Sequence, residues 1–171
     1  MVTEISTNRL SLHALSLQDH ELIQELVNTK GWLQFIGDKN VHSQEDAINY
    51  IKRINGMQNL YYWVVCLKDN LAPIGIITFM KRTYLDHFDI GFAFLPQYNG
   101  KGYAYEAAKE VLSIVSEMPE HSIVLATTLP DNISSIRLLT KLGLCFVREI
   151  EVGSEKLYVY SNATDITASK D

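Results

Sequence analysis

Three strand-length apolar runs follow one another in the middle of the chain, Tyr61–Leu67, Pro73–Lys81 and Phe88–Leu95. The third leads through a glycine-bearing loop straight into a helix-length repeat, Lys101–Ser116. The segments "KDN" and "TYLDH" between the runs are hairpin-like separators. In Lys101–Ser116 the residues Ala104, Ala107, Ala108, Val111, Leu112 and Val115 recur at helical spacing, and Pro119 marks the end. Strands joined by short turns pair antiparallel, and the helix that follows must lay its apolar stripe on a face of that sheet. The flanking sequence extends the pattern. Arg9–Leu15 alternates like a strand, and Ser16 is placed to cap a helix carrying Leu22, Ile23, Leu26 and Val27. A second helix starts at Ser43, with Glu45 and Asp46 in its first turn and Ala47, Ile48, Ile51 and Ile54 as its core face. "KGWLQFIGDKN" between them reads as a connection rich in aromatic and turn residues. Ser122–Thr128 is a strand, Asn132–Leu142 a helix, and Leu144–Val152 and Lys156–Ser161 are two further strands. The class is α/β: a mixed sheet with helices on both faces.

A chain of 171 residues with 47% hydrophobic residues supports one core and one domain, placed at 1–161, with the small polar tail 162–171 expected to fray. The formal charge of −5 argues against nucleic-acid binding, which draws on Lys and Arg. It is compatible with a cationic acceptor, and equally with a role in solubility alone. Cys66 and Cys145 sit in apolar runs and read as buried free thiols, which fits a reducing cytoplasm. "MVTEISTNRL" has no apolar signal core, and no run reaches the roughly 18 residues of a membrane span. His, Cys and carboxylates show no metal-ligand spacing, and there is no G-x-S-x-G to anchor a serine triad.

The chemistry concentrates in "DIGFAFLPQYNGKGYAYEAAKEVL", Asp89 to Leu112. Glycine permits close approach of backbone to ligand, and the first turn of a helix carries N–H groups without intrahelical partners at its positive end. Successive N–H groups from Asn99 to Ala104, through Gly100, Lys101, Gly102 and Tyr103, can make a nest for a pyrophosphate. The loop taken alone is equally an ordinary strand-to-helix turn. GxxxxGK[ST] is absent, and GxGxxG fails because Tyr105 holds the last position.

The same stretch resembles the acetyl-CoA motif Q/R-x-x-G-x-G/A of the GNAT N-acetyltransferases. The favoured register begins at Asn99, and an offset register begins at Gln97. "LPDNISSIRLLTKLGLCF" is similar to the family's N-x-x-S/A stretch at Asn132, Ser135, Lys141 and Gly143, with Leu144 where Phe is common. "TNRLSLHALSLQD" resembles the opening T-x-R-L-x-L of the branch that contains ribosomal-protein N-terminal acetyltransferases. The likeness runs from about Thr7 to Tyr160.

The resemblance implies a GNAT-like fold, a mostly antiparallel sheet of six to seven strands flanked by about four helices. It also implies acetyl-CoA as cosubstrate, without a metal, and an amine acceptor that attacks the thioester directly. Pantetheine is expected to pair with Phe92, Ala93, Phe94 and Leu95, with a backbone N–H at Phe92 or Ala93 polarising the acetyl carbonyl, while Asn132 and Ser135 also face the cofactor. The usual Tyr acid of the family falls at Leu139, which makes Ser135 the substitute proton donor, or only a ligand of pantetheine. Asp89, in "DIGF", matches the family's acidic strand residue and is the first choice of base, with Asp86 and His87 as neighbours. Trp32 and Tyr84 are candidates for an aromatic acceptor wall, with Phe35 more a core residue. Look-alike proteins often form homodimers. The loss of Tyr also leaves open a non-catalytic acyl-CoA sensor, and a nucleotide-binding domain is a remoter alternative.

Overall fold

The computed structural model describes residues 2–163, so most of the tail expected to fray lies outside the described residues. The chain begins with two paired strands, β1 (Glu4–Ser6) and β2 (Leu10–Ala14). Ser16 and Asp19 then form a capping box, with Asp19 Oδ2 accepting the Ser16 N–H at 2.8 Å, and a short 3-10 turn feeds α1 (His20–Val27). Helix α2 (Lys30–Phe35) is capped by Thr29, whose hydroxyl accepts the Trp32 N–H. Ser43 caps α3 (Gln44–Asn55) in the same way through the Asp46 N–H. The three central runs become β3 (Leu60–Leu67), β4 (Pro73–Lys81) and β5 (Phe88–Phe94). After the glycine loop come α4 (Tyr103–Ser116), β6 (Leu125–Thr128), α5 (Ile133–Lys141), β7 (Cys145–Val152) and β8 (Glu155–Ser161).

The strands form one sheet in the order β1-β2-β3-β4-β5-β6-β8-β7, antiparallel throughout except where β5 meets β6. Alternation along each strand splits the apolar side chains between two faces. Leu10, Leu12, Trp63, Val65, Ile77, Phe79 and Ile90 face α4 and α5, where Ala107, Ala108, Val111 and Val115 are fully buried. Val64, Cys66, Ile76 and Leu95 face α1–α3, packing on Leu22, Ile23, Leu26, Ala47, Ile51 and Ile54. Each buried valine on α4 contributes roughly 1.5–3 kcal/mol, so a charge at Val111 would detach the helix that carries the loop. Among the described residues no helix is long and apolar enough to cross a membrane.

Four details differ from the expectations. β1 is an eighth strand, too short at three residues for alternation to reveal. "KGWLQF" is helix α2, nucleated by its Thr29 cap and closed after one and a half turns at Gly37, whose φ is +100°. β6 begins at Leu125, because Pro119–His121 makes a further 3-10 turn. Cys66 is buried but Cys145 is exposed: it opens β7, which pairs on one side only, with β8, at the end of the strand order.

Candidate active site

The parallel pairing of β5 with β6 consists of a single bridge, Asp89 to Leu125, after which the two strands diverge. On its other side β5 stays in register with β4 as far as Phe94, and the Leu95 N–H donates to Ile74 C=O at 2.9 Å. Antiparallel bonding alternates, so Ala93 and Gly91 also point their N–H groups at β4, while those of Phe92 and Phe94 face the gap. An extended ligand can therefore pair with β5 at Phe92 and Phe94. The Ala93 N–H, one of the two expected carbonyl donors, is committed to the sheet.

At the open end of the gap Pro96–Tyr98 forms a 3-10 turn, and Gly100 and Gly102 take left-handed conformations, φ +75° and +82°. Among the described residues the N–H groups of Gly100 to Tyr105 meet no backbone or side-chain acceptor. The Asn99 N–H is different: it closes the 3-10 turn on Pro96 C=O at 3.1 Å. The nest thus runs from Gly100 and excludes the Asn99 N–H, contrary to expectation. In the register that starts at Asn99, the left-handed Gly100 and Gly102 are the second and fourth residues and Ala104 already lies in α4. A Cβ at Gly100 would meet nothing within 4 Å, so the glycine leaves open space above the amides.

The loop is braced from the N-terminal strand region, a contact the sequence reading did not identify. Arg9 Nε donates to Glu106 Oε2 at 2.7 Å, and Arg9 Nη1 to Lys101 C=O at 3.0 Å. Thr7 Oγ1 and the Arg9 N–H both donate to Glu106 Oε1, at 2.7 and 2.8 Å. The Arg9 guanidinium lies 4.5 Å from the centroid of the Tyr103 ring, and the Lys141 ammonium 4.4 Å from that of Tyr105. Burial pushes the Glu106 carboxyl up, but the bonds from Thr7 and Arg9 outweigh it and hold the group below its ordinary value. The available signal was the quoted T-x-R opening itself, whose Thr7 and Arg9 are the residues that reach Glu106.

Asp89 stands at the last bridge before the gap and is almost completely buried. Arg82 Nε donates to its Oδ2 at 2.7 Å, and Thr127 Oγ1 of β6 lies 3.4 Å from the same atom. Oδ1 is buried without a partner. Desolvation pushes this carboxyl above the ordinary range, with Arg82 and Thr127 opposing it less strongly. Beside it the register aligns Tyr62, Thr78 and Gly91 across the sheet, and Thr78 Oγ1 would lie only 2.6 Å from a Cβ at Gly91. Asp89 is thus a buried strand residue and not a solvated strand end. Asp86 is exposed and faces Arg148 at 3.6 Å, away from Asp89's partners.

On α5, Asn132 caps the helix by accepting the Ser135 N–H at 3.2 Å, and Ser135 is half-buried in the first turn. Leu139, one turn further on, packs at 1% exposure in the core under α4. Tyr84 is exposed on the β4–β5 connection, with the Arg82 guanidinium 5.9 Å from its ring centroid. Trp32 corrects the expectation of an aromatic wall: at 5% exposure it belongs to the core beneath α1 and α3, while Phe35 stays half-buried. The helical turn of α2 carries the Trp32 ring into the core and leaves Phe35 outside it.

The sequence profile of the "Acetyltransferase (GNAT) domain" family matches residues 9–144. "Uncharacterized N-acetyltransferase YnaD" of Bacillus subtilis (strain 168) is 33% identical over 141 residues, covering 82% of this chain and 81% of the relative. A crystal structure of a GNAT-family acetyltransferase from Bacillus anthracis superposes with a TM-score of 0.78 at 28% identity, over 93% of this chain and 97% of the other. The RimL ribosomal L7/L12 alpha-N-protein acetyltransferase, solved in complex with coenzyme A, has a TM-score of 0.79 at 14% identity, over 92% of this chain and 96% of that one, a likeness of fold.

Proposed function

The chain belongs to the GNAT acetyltransferase family, and on that premise we propose that it transfers the acetyl group of acetyl-CoA to a primary amine by direct attack in a ternary complex. The observation that carries this reading is the gap between β5 and β6 running into six N–H groups, Gly100 to Tyr105, that find no acceptor among the described residues. The N–H groups of Gly100 to Tyr105 bind the pyrophosphate of the cosubstrate, with Lys101 and Arg9 adding positive charge beside it. The free N–H groups of Phe92 and Phe94 pair with pantetheine, and that of Phe92 polarises the thioester carbonyl. Holding thioester and amine together supplies much of the acceleration.

In the reaction the amine nitrogen bonds to the acetyl carbon, the C–S bond breaks, one proton leaves nitrogen and one reaches the coenzyme A thiolate. Asp89 Oδ1 takes the first proton: it is the one carboxylate oxygen at the bridge without a partner, and its raised pKa brings it toward the operating pH. Ser135 gives the second, taking the place of the Tyr that Leu139 displaces. The same substitution favours a second reading, a module that binds acyl-CoA without turning it over. Incubating the protein with acetyl-CoA and a panel of primary amines, then counting free thiol, separates the two. Amine-dependent release supports the enzyme. Calorimetric binding of acetyl-CoA with no release from any amine supports the sensor.

A further inference from the structure

Asp89 Oδ1 is not the only oxygen on its face of β5 without a partner among the described residues. Ile90, Phe92 and Phe94 turn toward α4, so Asp89, Gly91 and Ala93 look out on the opposite face. Thr78 of β4 is in register with Gly91. Its Oγ1 lies 2.6 Å from where a Gly91 Cβ would stand, and its own Cβ 4.0 Å from the same point. The hydroxyl therefore leads the side chain over the glycine, toward the gap. The threonine hydroxyls of β6 are engaged, Thr127 Oγ1 at 3.4 Å from Asp89 Oδ2 and Thr128 Oγ1 at 3.4 Å from Leu129 C=O. Among the described residues the hydroxyl of Thr78 has no hydrogen-bond partner, although the residue is only 7% exposed.

An unpaired hydroxyl in a nearly closed place costs free energy, and a valine would fill almost the same shape without that cost. The glycine matters equally: any side chain at 91 displaces the hydroxyl and stands between it and the gap. A donor arriving from the gap removes the cost. Phe92, the next residue, presents its N–H to that gap, so such a donor lies beside the thioester. Asp89 and Gly91 are two strand positions apart, about 6.8 Å at their Cα atoms. That is comparable to the roughly 5 Å that one nitrogen bridges with two hydrogen bonds of about 2.9 Å. A neutral primary amine carries two N–H groups and one lone pair, so fixing both N–H groups also fixes the direction of attack.

We propose that Thr78 is a substrate-binding residue that, together with Asp89, selects primary amines: one N–H of the acceptor donates to Asp89 Oδ1, the other to Thr78 Oγ1, and the lone pair faces the thioester carbon beside Phe92. As nitrogen bonds to that carbon and the C–S bond breaks, Asp89 Oδ1 receives the proton from nitrogen, Thr78 keeps its own, and Ser135 protonates the thiolate. A neutral secondary amine has a single N–H, which Asp89 requires, and it turns its second substituent onto the hydroxyl above Gly91. This rests on the acetyl-transfer reading for the identity of the reacting group, but the seating of the amine on Thr78 is separable from it.

The test uses matched acceptors: tyramine against N-methyltyramine, and Ala-Ala amide against the same peptide methylated on its N-terminal nitrogen. Each is assayed for thiol release with acetyl-CoA, and the two primary amines are also titrated calorimetrically into the coenzyme A-bound protein. In at least one pair the primary amine is expected to exceed the secondary tenfold or more in kcat/KM. Thr78→Val is expected to shrink that ratio at least fivefold and to weaken binding of the primary amine at least threefold, with acetyl-CoA affinity unchanged and Tm no lower than the parent's. Thr78→Ser, which restores the hydroxyl, is expected to keep the ratio, and Gly91→Ala, whose Cβ pushes the hydroxyl aside, to lose it. Equal kcat/KM within both pairs, no binding of either primary amine, or an unchanged ratio in Thr78→Val overturns the proposal. A fall in Tm beside an unchanged ratio in Thr78→Val assigns the hydroxyl to folding instead. Thiol release that ignores Thr78 defeats the amine subsite alone. Binding that depends on Thr78 without any thiol release defeats acetyl transfer and leaves the subsite standing.

Discussion

Replacing Gly102 tests the pyrophosphate nest most directly, because Gly102 combines an obligatory backbone conformation with a place in the anion site. Its φ is +82° and ψ 3°, and it is the residue immediately before α4. Any L-residue there costs about 1–2 kcal/mol for the left-handed conformation. In a domain of this size that lowers Tm by roughly 2–8 °C. A Cβ would meet Arg9 Nη2 at 3.4 Å, a tolerable contact with the end of a flexible side chain. Gly102→Gln and Gly102→Glu share this backbone cost and almost the same volume, so their difference isolates charge. A carboxylate about 5 Å from a doubly charged diphosphate, at the dielectric of water, is opposed by about 1.7 kcal/mol. That exceeds the 1.4 kcal/mol of a tenfold change. Calorimetric titration with coenzyme A is therefore expected to give at least tenfold weaker binding for Gly102→Glu than for Gly102→Gln, with the gap narrowing as salt is raised. Equal affinities in two variants that melt alike would show that the phosphates lie elsewhere.

Ser135→Ala is expected to lower kcat by tenfold or more with coenzyme A affinity unchanged, if the hydroxyl protonates the leaving thiolate; a parallel loss of affinity assigns it to cofactor binding instead. Asp89→Asn mimics the neutral carboxyl that the folded state prefers, so denaturant unfolding at neutral pH is expected to show no loss of stability against the parent, and a clear loss would show that pairing with Arg82 outweighs burial of the carboxylate. Burial raises the Asp89 pKa above its ordinary 3.8, so its contribution to stability is greatest below that value and is lost as pH rises, while its basic form accumulates over the same interval. A rising limb in kcat/KM displaced above pH 3.8, and missing in Asp89→Asn, is the corresponding kinetic result. Glu106 titrates in the opposite sense: it is held below its ordinary 4.5, so its stabilising effect is present above that pH and is lost on further acidification. Glu106→Gln is expected to remove that acid-side loss in a thermal melt and to weaken coenzyme A binding, since Thr7 and Arg9 then lose the partner that braces the loop.

The amino-acid order by itself determined the parts whose causes are local. Helical spacing in Lys101–Ser116, the caps at Ser16, Ser43 and Asn132, and the alternation of the central strands all act within a few residues, so they can be read without a partner in space. The two glycines preceding α4 belong with them: a left-handed backbone is a property of the residue itself. Tertiary structure decided the rest. The divergence of β5 from β6 depends on where two strands 36 positions apart stop pairing, and it is this divergence that exposes Phe92 and Phe94 while Ala93 stays bonded to β4. The bracing of the loop joins Arg9 to Glu106 across 97 positions. The burial of Trp32 followed from α2, the helix that a Thr29 cap starts in what reads as a loop. Charge, burial and free hydrogen-bonding groups are set by neighbours in space, and those neighbours are fixed only once the sheet has closed.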